Sequence, residues 1–224
     1  MLVIDSRDRV SLINDHREKL RKHGFTPPAL GWTKGKQDVR FSVLLDCFEI
    51  KGKTILDIGC GFGDFLKYLP ENTQYIGLDI VSEFIEEART RYANCETARF
   101  YHSDFLDDDF KESADIAIAS GSFNYRLDHT NSYEYIERAM NKAFLLTREA
   151  IAFNFLSSKV DYELEHAFHC SPEKILTMAY NLSRNILLRN DYMPFEFTIV
   201  VFKDDSFEKS DTLFCRYKEQ RNLD

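Results

Sequence analysis

Residues 54–64 read Thr-Ile-Leu-Asp-Ile-Gly-Cys-Gly-Phe-Gly-Asp. Thr54 to Ile58 are mostly apolar and β-branched, the composition of a short buried strand. Gly59, Gly61 and Gly63 alternate behind it, and Phe65-Leu66-Lys67-Tyr68-Leu69 then suits the first turns of a helix. Strand, glycine-rich turn and helix make the opening of a nucleotide-binding βα unit. Glycine matters in such a turn because it admits positive φ and a close ligand approach.

The acidic residues around this stretch narrow the ligand. The next apolar run is Tyr75-Ile76-Gly77-Leu78-Asp79-Ile80, and its Asp79 lies 20 residues after Gly59. An acid at that distance, ending a second strand, is placed to take ribose hydroxyls. A dinucleotide fingerprint would need G-x-G-x-x-G. Counted from Gly59 the third glycine falls on Asp64, and from Gly61 on Leu66, so no pyrophosphate site is provided. Asp57, two residues before the first glycine, is placed to face a cationic ligand; it also reads as a structural acid bonded to the turn's backbone. Gly52-Lys53-Thr54 mimics the end of a phosphate-binding P-loop. Cys47 stands where that motif needs glycine, and the segment precedes a strand instead of following one, so it reads as a surface turn.

These residues resemble the class I S-adenosylmethionine-dependent methyltransferases. The first motif of that family is similar to Leu56–Gly63, the second to Gly77-Leu78-Asp79-Ile80, the third to Ser103-Asp104-Phe105, and the fourth to Ala114–Gly121. Order and spacing agree over residues 53–155, about half the chain. The resemblance implies S-adenosylmethionine as cofactor and S-adenosylhomocysteine as its product. It implies that Asp79 holds the ribose, with Ile80 beside it. Asp104 would take the adenine amino group, flanked by Ser103 and Phe105. Gly59, Gly61 and Gly63 would shape the turn under the methionine part, and Asp57 and Ser120 would complete the cofactor site. Relatives often hold the cofactor carboxylate with a basic residue before strand one, and Arg40 suits that task because its fork matches a carboxylate. The DNA-methylating relatives carry a Pro-Pro-aromatic motif after the fourth strand, whereas this chain has Ser122-Phe123-Asn124-Tyr125.

Composition bounds the rest. The 224 residues suit one domain with one core, and an apolar fraction of 44% is ordinary for a globular chain. No run of about 18 apolar residues occurs, so no membrane span is expected. Met1 to Asp8 shows no basic region followed by an apolar one, which speaks against a secretory signal. Cys47, Cys60, Cys95, Cys170 and Cys215 are odd in number, scattered and without C-x-x-C, as expected of thiols in a reducing cytoplasm. The net charge of −8 argues against a nucleic-acid partner, because phosphate neutralisation dominates such binding. Arg216 to Arg221 is only a short basic tail. Asp107-Asp108-Asp109 reads as a solvated loop, and His102 near it follows no metal-loop spacing, so no metal is expected.

The pattern predicts an α/β fold of Rossmann-like, class I methyltransferase type: a seven-stranded, mostly parallel sheet with helices on both faces and an N-terminal helical cap. Residues 1–50 form the cap segment and 51–224 the core of a single domain overall. Helices are expected over 5–22, from Gln37 to Phe48, over 82–93 with Ser82 as N-cap, over Asn131–Leu146, and from Ser171-Pro172 onward. Strands are expected at 54–58, 75–80, 97–102, 114–119 and 150–155, with a hairpin-like pair at 185–190 and 195–203.

Ligands in such sheets bind beyond the carboxyl ends of the strands. Asn124 and Tyr125 follow the fourth strand and are candidates for acceptor contact. His166 and His169 follow the fifth, and either could serve as a base; both also read as surface or structural histidines. Trp32 in the cap and Tyr192 in the aromatic joint Asp191–Phe197 could wall the acceptor. The expected function is methyl transfer to nitrogen or oxygen of a small molecule by a cytoplasmic monomer or homodimer. The alternatives are a nicotinamide-dependent oxidoreductase, disfavoured by the missing third glycine, and a cofactor-binding protein without turnover.

Overall fold

The computed structural model describes residues 4–32, 36–106, 110–206 and 215–218. The triple-aspartate run 107–109, Thr33, and the parts of the start and tail at 1–3 and 219–221 lie outside the described residues.

The chain opens with helix α1 (Ser6–His23), a 3₁₀ turn at Pro27–Leu30 and helix α2 (Gln37–Leu45). Strands β1 (Thr54–Ile58) and β2 (Gln74–Asp79) follow, then helix α3 (Ser82–Arg91), β3 (Ala98–His102) and β4 (Ala114–Ser120). Helix α4 (Ser132–Leu146), β5 (Thr147–Leu156), helix α5 (Pro172–Tyr180), β6 (Ile186–Arg189) and β7 (Glu196–Phe202) complete it. The seven strands form one sheet in the order β3-β2-β1-β4-β5-β7-β6. The pairs among β1 to β5 are parallel, and β7 runs antiparallel to both of its neighbours. The expected α/β, seven-stranded, mostly parallel sheet is therefore the observed one.

Alternate residues of each strand face opposite layers, as a two-residue period requires. Leu56 and Ile58 of β1 join Ile136 and Met140 of α4 and Ile175 of α5 on one face. Ile55 and Tyr75 join Phe41 and Leu44 of α2 and Ile85 of α3 on the other. Strand order reverses between β1 and β4, which opens a crevice at their carboxyl ends, where Gly59 and Gly121 follow.

Local chemistry corrects three boundaries. The segment after Gly63 is a 3₁₀ turn, Asp64–Tyr68, not the first turns of an α-helix. Pro70 explains the stop, since the residue before a proline is driven out of helical angles, and Leu69 is extended (φ −78°, ψ 142°). The N-cap of α3 is Val81, not Ser82. The Val81 N–H is taken at 2.9 Å by the Asp79 carboxylate, while the Ser82 hydroxyl donates to Glu83. Helix α2 ends at Leu45, not Phe48; Phe48 packs edge-on against Phe202 of β7.

Helix α1 lies over the carboxyl end of the sheet and is fastened there. Asp8 accepts the backbone N–H groups of Asp128 and His129, each at 3.0 Å. Arg17 pairs with Glu83 at 2.6 Å, and Arg9 with Asp104 at 2.7 Å. Among the described residues no helix is long and apolar enough to cross a membrane.

Candidate functional site

A cavity of about 690 Å³ opens at the switch point, between α1, the loops after β1, β2 and β4, and the segment from Leu156 to His166. Its floor is the turn after β1. Gly59 and Gly61 have φ of 76° and 56°, angles that L residues rarely adopt. A Cβ on Gly61 would come within 2.9 Å of Leu30, so the turn is tight as well as left-handed. Gly63, expected in the same role, does not line the cavity; its Cα faces Phe100 and Tyr92 and serves packing.

Asp79 ends β2 at the cavity wall, 9% exposed. One carboxylate oxygen accepts the Gly61 N–H and the other the Val81 N–H, each at 2.9 Å. Burial raises its pKa, against the pull of those two bonds. Each oxygen keeps a lone pair for a hydroxyl donor. Asp57, inside β1, accepts the Tyr75 hydroxyl at 2.6 Å. Burial pushes the Asp57 carboxyl up to about 7, so it is poised to ionise beside a cation. Ile80, Ser103, Asp104, Phe105 and Ser120 line the same cavity. Asp104 accepts the Leu106 N–H at 3.1 Å besides its pair with Arg9. The Ser120 hydroxyl is buried without a hydrogen-bond partner.

The polar groups at the other end form one buried network. Arg40, expected at the cofactor carboxylate, directs its Nε–Nη2 edge to Glu196, with Nε at 2.6 Å from the carboxylate. Both residues are buried, at 4% and 3% exposure. The other face of the guanidinium stacks on Trp32, 3.7 Å from the ring centroid. Arg40 Nη1 stands where a Cβ on Gly121 would collide with it, so the fork still reaches the turn after β4. Asn154 donates to Glu196 at 3.0 Å and to the Tyr192 hydroxyl at 2.7 Å. Tyr192, expected against the acceptor, is off the cavity and bonded within this network, also to Thr198 at 2.8 Å. Its neighbours Met193, Pro194, Phe195 and Glu196 line the cavity in its place.

The two histidines separate. His169 is buried, and both ring nitrogens are engaged: Leu164 N–H donates to Nε2 at 3.1 Å, and Nδ1 lies 2.8 Å from the Ser157 carbonyl. Nδ1 therefore carries the proton and the Nε2 lone pair is occupied, so His169 clasps the 157–169 loop and is not placed as a base. His166 is exposed and lines the cavity. Tyr125 also lines it, with its hydroxyl 3.1 Å from that of Ser11 on α1. Asn124 lies on the wall, and its side-chain oxygen holds the Leu156 N–H at 3.0 Å, tying the β4 loop to β5.

Sequence reasoning missed Glu196, Asn154, His16 and Arg9. A signal existed for the first: one acid heading the apolar run Phe197-Thr198-Ile199-Val200-Val201 marks a paired charge. Among the described residues, no group of three or more His, Cys, Asp or Glu is arranged to hold a metal ion.

The residues present suit the cofactor that the resemblance implies. Asp79 with a lone pair free on each oxygen, Asp57 with its carboxyl near 7, and the left-handed glycines Gly59 and Gly61 all line one cavity. Comparison with known proteins agrees. Residues 55–143 match a family model described as a methyltransferase domain. Rv1506c of Mycobacterium tuberculosis, provisionally named a methyltransferase, is 32% identical over 160 residues, covering 67% of this chain and 93% of the relative. The N-methyltransferase NodS from Bradyrhizobium japonicum WM9, solved with S-adenosylhomocysteine, superimposes with a TM-score of 0.61 at 13% identity, covering 88% of this chain and 98% of that one. The complex of DhpI with S-adenosylhomocysteine gives 0.66 at 14% identity, covering 88% and 97%. Both structures share the fold.

Proposed function

The chain belongs to the class I S-adenosylmethionine-dependent methyltransferases, and from that premise we propose that it methylates nitrogen or oxygen of a small-molecule acceptor. The observation that supports the acceptor class is the aromatic lining of a cavity of about 690 Å³. Besides the residues at the cofactor end, the cavity lining includes the aromatic side chains of Trp32, Tyr125, Tyr162 and Phe195, with His166 beside them in the lining. A cavity of this size with aromatic lining fits a compact, partly aromatic molecule better than a polymer strand. The net charge of −8 supports the same reading.

The cofactor, when bound, would supply an electrophilic sulfonium methyl that passes in line to the acceptor as S-adenosylhomocysteine departs. The task of the chain is to hold an acceptor atom in line at about 3–3.5 Å and to exclude water. Trp32 and Phe195 would pack the acceptor, while the strap from Ser157 to His166, clasped by His169, would cover it. His166 would take the acceptor's proton from the cavity mouth, and Tyr125 would orient the acceptor through its hydroxyl. We assign the cap segment 1–50 to the same single domain and the enzyme to the cytoplasm.

The test is release of S-adenosylhomocysteine in the presence of panels of small amines, carboxylic acids and phenols. Turnover with one class is expected. Turnover with RNA or protein and with no small molecule would overturn the acceptor assignment.

Asp57 gives a separate check on the cofactor end. A cationic ligand beside it favours its carboxylate, so binding below neutrality must first drive off a proton. With a free carboxyl near 7, the affinity for S-adenosylhomocysteine, whose ammonium group remains, should tighten about tenfold from about pH 6 to about pH 8 and then level off. Calorimetric titration reads this directly. The Asp57→Asn variant should lose the dependence, and a flat wild-type profile would remove Asp57 from ligand contact.

A further inference from the structure

His16 is a cavity-lining histidine that belongs to none of the four motifs. It comes from α1, about two turns after Asp8 and directly before Arg17, both of which dock that helix. Its Nδ1 is buried and has no hydrogen-bond partner among the described residues. A buried polar atom left unpaired costs about 1–3 kcal/mol, so native proteins rarely leave one without a reason.

The ring is not idle through looseness. It packs edge-on against Phe84 with centroids 5.5 Å apart. The helix that carries it is held on both sides of the ring position, by Asp8 at the 128–129 backbone and by Arg17 at Glu83. Burial lowers the pKa of the imidazole, against the charges of Asp79 and Asp15 and a backbone contact from Ala29 and with the charge of Lys19, which favours the neutral ring. A neutral imidazole offers one lone pair and one N–H. Across the same cavity stands Asp79, each of whose oxygens already serves one backbone N–H.

We propose that His16 is the second polar arm of a ribose subsite, its Nδ1 accepting one hydroxyl of a nucleoside cis-diol while Asp79 accepts the other. The class of ligand is any nucleoside with a free diol; for this chain it is the adenosine of the cofactor, so the inference rests on the cofactor reading. Helix α1 is then more than a lid: it contributes binding chemistry that the glycine turn and the strand ends lack.

The experiment is calorimetric titration of the full chain with S-adenosylhomocysteine and with its 2′-deoxy and 3′-deoxy analogues. His16→Leu should weaken the parent ligand about tenfold, the worth of one lost hydrogen bond. The variant should bind one deoxy analogue as well as it binds the parent, because the partner of that hydroxyl has gone. His16→Gln, whose amide offers an acceptor, should recover most of the loss. In the ligand-free protein His16→Leu should melt at or above the wild-type temperature, since it removes an unsatisfied nitrogen; a histidine of purely structural value would lower it. Unchanged affinity in His16→Leu, or equal losses for all three ligands, would overturn the proposal. Failure of the wild-type chain to bind any of the three would instead overturn the cofactor reading beneath it.

Discussion

Asp79→Ala abolishes the thermal shift that S-adenosylhomocysteine gives the wild-type chain. Asp79 is buried, and its two oxygens are fixed by the Gly61 and Val81 N–H groups at 2.9 Å. The two bonds hold the carboxylate in place at the cavity lining, and each oxygen keeps a lone pair for a donor. Hydrogen bonds to a charged group are worth about 1.5–3 kcal/mol each. Loss of the one made to the ribose weakens binding by about ten- to two-hundred-fold. Asp79→Ala also releases the Gly61 turn, which puts the expected loss toward the upper end. Asp79→Asn keeps the shape and one acceptor oxygen, so it should retain a reduced shift. An unchanged shift in Asp79→Ala would mean that the ribose is held elsewhere.

The second large effect is on stability. Glu196→Ala leaves Arg40 buried with its Nε–Nη2 edge unpaired. Breaking one side of a buried pair costs about 3–5 kcal/mol. For a chain of this size that corresponds to a fall in melting temperature of roughly 10 °C. The double variant Arg40→Met with Glu196→Leu removes both charges and keeps the volume. It should recover at least half of the loss, because a buried ion pair replaced by apolar side chains is often neutral. A double variant no more stable than Glu196→Ala would show that the network is held by something other than this pair.

The legible and illegible parts of the chain divide along a physical line. Strand β1, the alternating glycines and Asp79 could be read because each depends on neighbours within a few residues or on a fixed βα repeat. Ser171 was readable as an N-cap for the same reason, since its side chain accepts the Lys174 N–H three residues on; Asn131, expected as the first residue of its helix, is its N-cap. The turn after Gly63 failed as a helix because Pro70 outweighs the apolar spacing of Phe65 and Leu69. Ser82 failed as a cap because the Phe84 and Ile85 N–H groups it would accept already bond to the Val81 carbonyl, while its own hydroxyl donates to Glu83.

The site beyond the cofactor was less legible because its contacts are distant in sequence. Arg40 and Glu196 are 156 residues apart, and no local pattern reports that pairing. His169 looked like a base in sequence, yet the loop it closes takes both of its nitrogens. His16 carried no signal at all, since a lone histidine on a polar helix is ordinary until the helix is seen lying across Asp79. Composition and motif order thus reach the family and its cofactor, whereas the acceptor end depends on how the cap and the last strands fold back over the sheet.

The central claim is that the crevice after β1 is built for an adenosyl sulfur cofactor and not for a dinucleotide. Titration calorimetry of the full chain with S-adenosylmethionine, S-adenosylhomocysteine and NAD tests it most directly. Saturable binding of both sulfur ligands at one site per chain, with no heat from NAD, is the predicted result. Binding of NAD with none of either sulfur ligand would contradict it.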